Sequence, residues 1–165
     1  MGRHVFYSFH FIPDVMRVSQ VRGIGSLEAN RPAHDNDWHT VTSGQDPAIQ
    51  RWILDQMNGR SCTVVLVGQD TANRKWINYE IVKSWNLRMG VVGIRIHGLK
   101  NMKGETSNMG GNPFDYITLG NMGMKLSSIV KCYNPPGGDS KERYAWISQY
   151  LQPAVEEAIR IRSAR

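Results

Sequence analysis

The chain has 165 residues, a formal net charge of +6, and 41% hydrophobic and 21% charged residues. This length suits one globular domain that buries roughly 70% of its unfolded surface without disulfide or metal staples, and no run of about 18 apolar residues is present to cross a bilayer. The basic residues are scattered, apart from Arg160, Arg162 and Arg165, so the charge fits an attraction for small anions better than a phosphate-tracking nucleic-acid surface.

Cys62 and Cys132 form no CxxC or Cys/His spacing, which argues against a metal site and for a reducing compartment. The N-terminal MGRHVFYSFHF is interrupted by His10 and lacks a small-residue cleavage site, and Gly2 is not followed by the Ser or Thr of a myristoylation signal. A cytoplasmic protein without a membrane anchor is expected.

Residues 4–11, HVFYSFHF, read as a central strand in which Phe6, Ser8 and His10 share one face and His10 emerges at the C-terminal end. Asp14 reads as the N-cap of a short helix carrying Val15, Val18 and Val21, loosened at Gly23 and Gly25. Residues 27–44 are polar and turn-forming, with a short edge strand at 38–41. Asp46-Pro47 starts a helix to about Met57 whose stripe is Ile49, Trp52, Ile53 and Met57, stopped by Asn58-Gly59.

Residues 62–67 are a strand of the kind covered on both faces, and 69–73 form the loop at its C-terminal end. A helix over about 73–87 turns Ile77, Ile81 and Trp85 to the core. Residues 91–97 form a fourth strand with His97 at its exit, and 98–123 form a long excursion over the carboxyl edge of the sheet. Residues 126–133 form a fifth strand. Asp139 or Ser140 caps a final helix from about residue 140, with Ile147, Leu151, Val155, Ala158 and Ile159 on its apolar face and Pro153 expected to kink or divide it. The alternation of strands and helices predicts an α/β fold: one doubly wound domain over 1–165, with a five-stranded, mainly parallel, flavodoxin-like sheet.

In such a sheet, ligands bind outside the carboxyl ends of the strands. Glu80 lies on the helix that starts there, four residues and one turn after Trp76. By itself Glu80 reads as a surface glutamate beside Lys75 or Lys83, and Trp76 as a core aromatic. No Gly-rich phosphate fingerprint or cation-loop spacing is present: the VRGIGS glycines follow a helical pattern, and Asp35, Asp37 and Asp46 are dispersed.

The stretch TVVLVGQDTANRKWINYEIVKSW, with its Trp-x-x-x-Glu motif at Trp76 and Glu80, resembles TIR and TIR-like domains. VFYSFHF, GIRIH and NPFDYI add a resemblance to the TIR-like subunit of the Thoeris anti-phage defence system, spanning most of residues 4–133. This resemblance implies an enzyme that takes NAD as substrate rather than cofactor, cleaves its nicotinamide–ribose bond, and converts the ADP-ribosyl product into a signalling nucleotide for a cognate effector. It also implies homo-oligomeric assembly. Glu80 would be the catalytic carboxylate, because one fixed negative charge suffices to stabilise an oxocarbenium-like ribose when the leaving group is already cationic. Phe6, Ser8, His10, Trp76, Tyr79, His97, Asn112 and Asp115 are the candidate substrate contacts, although strand burial and turn chemistry also explain several of them. A non-catalytic TIR scaffold and a nucleoside hydrolase or deoxyribosyltransferase on a similar fold are the alternatives.

Overall fold

The computed structural model describes residues 3–24, 28–29, 46–120 and 123–165. Its elements are β1 (His4–Phe9), α1 (Phe11–Arg22), β2 (Glu28–Ala29), α2 (Asp46–Met57), β3 (Cys62–Val67), α3 (Lys75–Asn86), β4 (Gly90–Arg95), β5 (Thr118–Leu119), β6 (Met124–Lys125), β7 (Cys132–Tyr133) and α4 (Ser140–Ser163). Short 3₁₀ turns occupy Pro113–Tyr116 and Leu126–Ser128.

Five strands form one parallel sheet in the order β2-β1-β3-β4-β7, and β5 pairs with β6 as a separate antiparallel ribbon. The chain leaves β1 toward β2 in one direction and continues from β3 to β7 in the other. The topological switch point, where crevices open in such sheets, therefore lies between β1 and β3.

The alternation of strand side chains sorts the core into two layers. Val5, Tyr7, Val64, Leu66, Val92 and Ile94 pack on one face against Val18 and Val21 of α1 and Ile147, Leu151 and Val155 of α4. On the other face, Phe6 meets Ile49, Ile53 and Met57 of α2, while Val65, Val67 and Val91 meet Ile77 and Ile81 of α3. Each fully buried aliphatic side chain contributes about 1.5–3 kcal/mol by removing apolar surface from water.

Several boundaries differ from the sequence reading. β1 stops at Phe9 and α1 begins at Phe11, which places His10 at the N-cap and buries Asp14 inside the first turn. The fifth strand of the sheet comes from Glu28–Ala29, within the polar segment, where backbone pairing with His4 and Val5 needs no hydrophobic pattern. The expected edge strand at 38–41 lies outside the described residues.

The expected strand at 126–133 is a strand only at Cys132–Tyr133. Leu126 and Val130 are both buried, a spacing of four that suits a turn, and the amides of Ile129 and Val130 both donate to the Leu126 carbonyl at 2.9 Å. Asp139 caps α4 by accepting from the Glu142 amide at 2.9 Å. Pro153 does not divide that helix, which runs unbroken for 24 residues. Both Pro153 and Gln149, the carbonyl that loses its donor, are exposed, so water can serve the freed group.

The turn at 126–130 can be tested. Leu126→Ala should cost about 2–5 kcal/mol in urea unfolding, as expected for a fully buried leucine, and Ser127→Ala should stay within about 0.5 kcal/mol. Equal effects at the two positions would contradict the burial of Leu126 beneath this segment.

Candidate active site

Three of the predicted elements converge at the switch point. β1 brings Phe6 and Ser8 to its α2/α3 face, β3 brings Thr63, and α3 turns Glu80 and Ser84 toward both. Glu80 is not a surface glutamate paired with a lysine: it is 5% exposed, and the Ser8 hydroxyl donates to its Oε1 at 2.5 Å. One turn further along α3, Ser84 Oγ lies 2.6 Å from Thr63 Oγ1 and donates to the Glu80 carbonyl at 2.6 Å. Glu80 and Ser84, spaced by four, thus form a polar seam within the apolar stripe of Ile77 and Ile81. Two buried side-chain bonds to two different strands fix the rotation of the helix, and with it the direction of the carboxyl group.

Burial pushes the Glu80 carboxyl from its ordinary 4.5 up to about 8, against the opposing pull of the Ser8 hydrogen bond. No neighbouring anion is needed to explain this, because desolvation alone disfavours the charged form. Trp76 and Tyr79 are half-buried, stand edge to face with centroids 5.6 Å apart, and pack with Trp52 against the cluster that contains Phe6. The Lys75 ammonium lies 5.1 Å from the Trp76 ring centroid. Phe6, Ser8, Trp76, Tyr79 and Glu80 are therefore brought together.

The other candidates sit apart from this group. His10 is half-buried at the start of α1, and its pKa is lowered by burial and then by Arg74, with Asp70 opposing, so it faces the loop between β3 and α3. His97 is 9% exposed, and its pKa is lowered by burial and by Arg143, Arg95 and Arg17, which places it beside α1 and α4 rather than beside Glu80. The Asn112 side chain accepts from the Phe114 amide at 2.9 Å as a turn cap, and Asp115 is exposed. A groove of about 730 Å³ between α1 and the start of α4, lined in part by Ser19, Gln20, Lys100 and Tyr144, does not reach Glu80.

Sequence reasoning missed Thr63, Ser84, Asp14 and Arg17. Ser84 had a signal, since it falls one turn after Glu80 on the core face of the helix. Asp14 had only its i,i+3 spacing to Arg17, which is common on exposed helices as well. Among the described residues, no group of three or more His, Cys, Asp or Glu is arranged to hold a metal ion, and no helix is long and apolar enough to cross a membrane.

The model of the Thoeris protein ThsB, TIR-like domain, matches residues 6–101, a range that includes Ser8, Trp76 and Glu80 and ends before Asn112. The chain belongs to the Thoeris ThsB TIR-like family. It is also similar to a Bacillus cereus (strain MSX-D12) protein named "Putative cyclic ADP-D-ribose synthase ThsB1", with 37% identity over 123 residues. That alignment covers 71% of this chain and 64% of the relative, so the chain spans under two thirds of the relative's length. The Trp-x-x-x-Glu helix and the VFYSF strand of this ThsB-like domain lie in its buried centre, where α3 crosses β1 and β3.

The burial of Glu80 makes stability depend on pH. The native carboxyl keeps its proton up to about pH 8, whereas the unfolded one releases it near 4.5, so unfolding releases a proton in that window and stability falls as pH rises through it. Glu80→Gln removes this dependence. Its Tm should gain on the wild type between about pH 5 and pH 8, each kcal/mol being worth about 2–4 °C in a chain this size. A difference that stays constant over that range would show Glu80 to be ionised in the resting protein.

Proposed function

We propose that the chain is an NAD-consuming TIR enzyme of anti-phage defence, which breaks the nicotinamide–ribose bond and converts the ADP-ribosyl product into a signalling nucleotide. The observation that carries this reading is one buried carboxyl group, Glu80, held by Ser8 at the switch point of a ThsB-like domain. The name of the Bacillus cereus relative supports cyclisation as the fate of the product.

In the proposed reaction, the bond between ribose C1′ and the nicotinamide nitrogen breaks, and its electron pair leaves with neutral nicotinamide. Positive charge passes to C1′ and the ring oxygen. Glu80 in its ionised form stabilises that charge, and its low-dielectric surroundings strengthen the interaction. Ser8 holds Oε1, which leaves Oε2 for a ribose hydroxyl. Trp76 and Tyr79, both half-buried, offer an aromatic wall suited to a planar ring, and the buried Phe6 backs them. Attack on C1′ by a nucleophile of the same ADP-ribosyl unit, with loss of a proton, closes a cyclic product, and attack by water gives ADP-ribose. His10, with Asp70 and Arg74, lies at the rim, while His97, Asn112 and Asp115 have no part in this reading. Assembly into homo-oligomers, coupling to an effector through the product, and a cytoplasmic location belong to the same proposal.

The neutral resting carboxyl has a kinetic consequence. Because kcat/KM reports the free enzyme, it should rise roughly tenfold per pH unit toward about pH 8 and then level off. A flat profile between about pH 6 and 8 would remove ionised Glu80 from the reaction.

Nicotinamide release from NAD, followed by chromatography with purified protein and with protein from phage-infected cells, tests the reaction itself. Glu80→Gln should lower it by roughly two orders of magnitude or more, the scale of losing a charge-stabilising group, while the fold survives. No release from either source, or release of a free base from a deoxynucleoside instead, would overturn the reading.

A further inference from the structure

The buried Asp14–Arg17 pair on α1 has no part in the reaction, yet it touches both loops that build the carboxyl edge. Asp14 is 1% exposed and Arg17 3%, and Arg17 Nη1 stands 3.5 Å from Asp14 Oδ1. Burial raises the Asp14 carboxyl to about 6, against the opposing pull of the Arg17 charge. Asp14 Oδ2 has no hydrogen-bond partner among the described residues and lies against Gly68, where an added Cβ would come within 2.1 Å of it. Gly68 directly follows β3 and opens the loop leading to α3, and its amide donates to Thr71 Oγ1 at 2.8 Å.

On the other side, Arg17 reaches across to the segment that follows β4. Its Nε donates to the Leu99 carbonyl at 2.7 Å and its Nη2 to the Glu105 carbonyl at 3.0 Å. That segment returns to the same loop. Gly110 presses so closely on the Gly68 and Gln69 carbonyls that a Cβ would stand 2.3 Å from the latter, and the Asn108 amide donates to Gln69 Oε1 at 3.0 Å. Arg95 Nη1 donates to the Gly110 carbonyl at 2.6 Å.

A buried pair with imperfect geometry and an unsatisfied oxygen is a poor source of stability, because desolvation offsets most of the attraction. Its distinctive property is its position between two loops distant in sequence. We propose that Asp14 and Arg17 are positioning residues of the Glu80 site: the pair ties the β3–α3 loop to residues 99–110 and so sets the rim that receives the dinucleotide. Glu80 itself is fixed separately, by Ser8 and by the Ser84–Thr63 bond. The pair therefore governs substrate binding more than the bond-breaking step. The kinetic arm rests on the NAD reading above, and the structural arm does not.

Three variants test the proposal. Asp14→Asn keeps the shape and removes the charge, Arg17→Lys keeps the charge and removes the fork that reaches two carbonyls, and Gly68→Ala displaces the Asp14 carboxyl. In native-state hydrogen exchange, the amides of Gly68, Ser107 and Asn108 should lose protection together, by about tenfold, in each variant, while those of β1 and α3 stay within about twofold. Tm should hold or rise in Asp14→Asn. With NAD, KM should rise about tenfold and kcat should change less than about threefold. Unchanged exchange in all three variants, or a uniform loss of protection across the sheet with a fall in Tm, would show that the pair serves only the fold. A wild type that releases no nicotinamide, either purified or from phage-infected cells, defeats the NAD reading and leaves the exchange result to decide the positioning role.

Discussion

The placement of the carboxyl group of Glu80 rests on one constraint: α3 must lie against the sheet with a polar seam inside an apolar interface. Burying the Glu80 carboxyl at the interface of α3 and the sheet is unfavourable unless it is hydrogen-bonded or neutral. Both conditions are met here, since Ser8 donates to it and desolvation keeps its proton on. Ser84 and Thr63 supply a second bond one turn away. Two such contacts leave the helix a single rotation, because a slip along its axis would strand a buried hydroxyl and a buried carboxyl at once.

The same arrangement links fold to chemistry. In the proposed reaction, a neutral carboxyl held in a dry site ionises when positive charge appears beside it, and the unfavourable burial then serves to favour a cationic transition state. The aromatic pair Trp76–Tyr79 and Phe6 complete a wall on the same face of the sheet, because residues 6 and 8 of β1 point one way and residues 5 and 7 the other. Around this centre the loops are held by glycines used for close approach, Gly68 under Asp14 and Gly110 over the Gln69 carbonyl.

Much of this was legible from periodicity. The run at 62–67, most of the run at 91–97 and the stripes of α2 and α3 carry patterns that local physics interprets directly, whereas Glu80 was singled out only by the resemblance of its Trp-x-x-x-Glu motif to TIR-like domains. Where the pattern is weak, the reading failed for identifiable reasons. Leu126 and Val130 belong to a turn whose short run of aliphatic residues also fits a strand, and Glu28–Ala29 pairs through backbone groups that sequence does not display. Pro153 sits in a helix that tolerates it because that face meets water.

The amino-acid sequence by itself determined the alternation of strands and helices, the buried character of the central strands and the helix on which the key carboxyl sits, because these follow from hydrophobic spacing over a few residues. Only the tertiary structure decided that Glu80 is buried rather than exposed, that Ser8 is its partner across 72 residues of chain, and that Asp14 and Arg17 lie beneath two distant loops. Burial and hydrogen-bond partnership depend on which surfaces the sheet order brings together, and no local pattern in α1, β1 or α3 specifies that order.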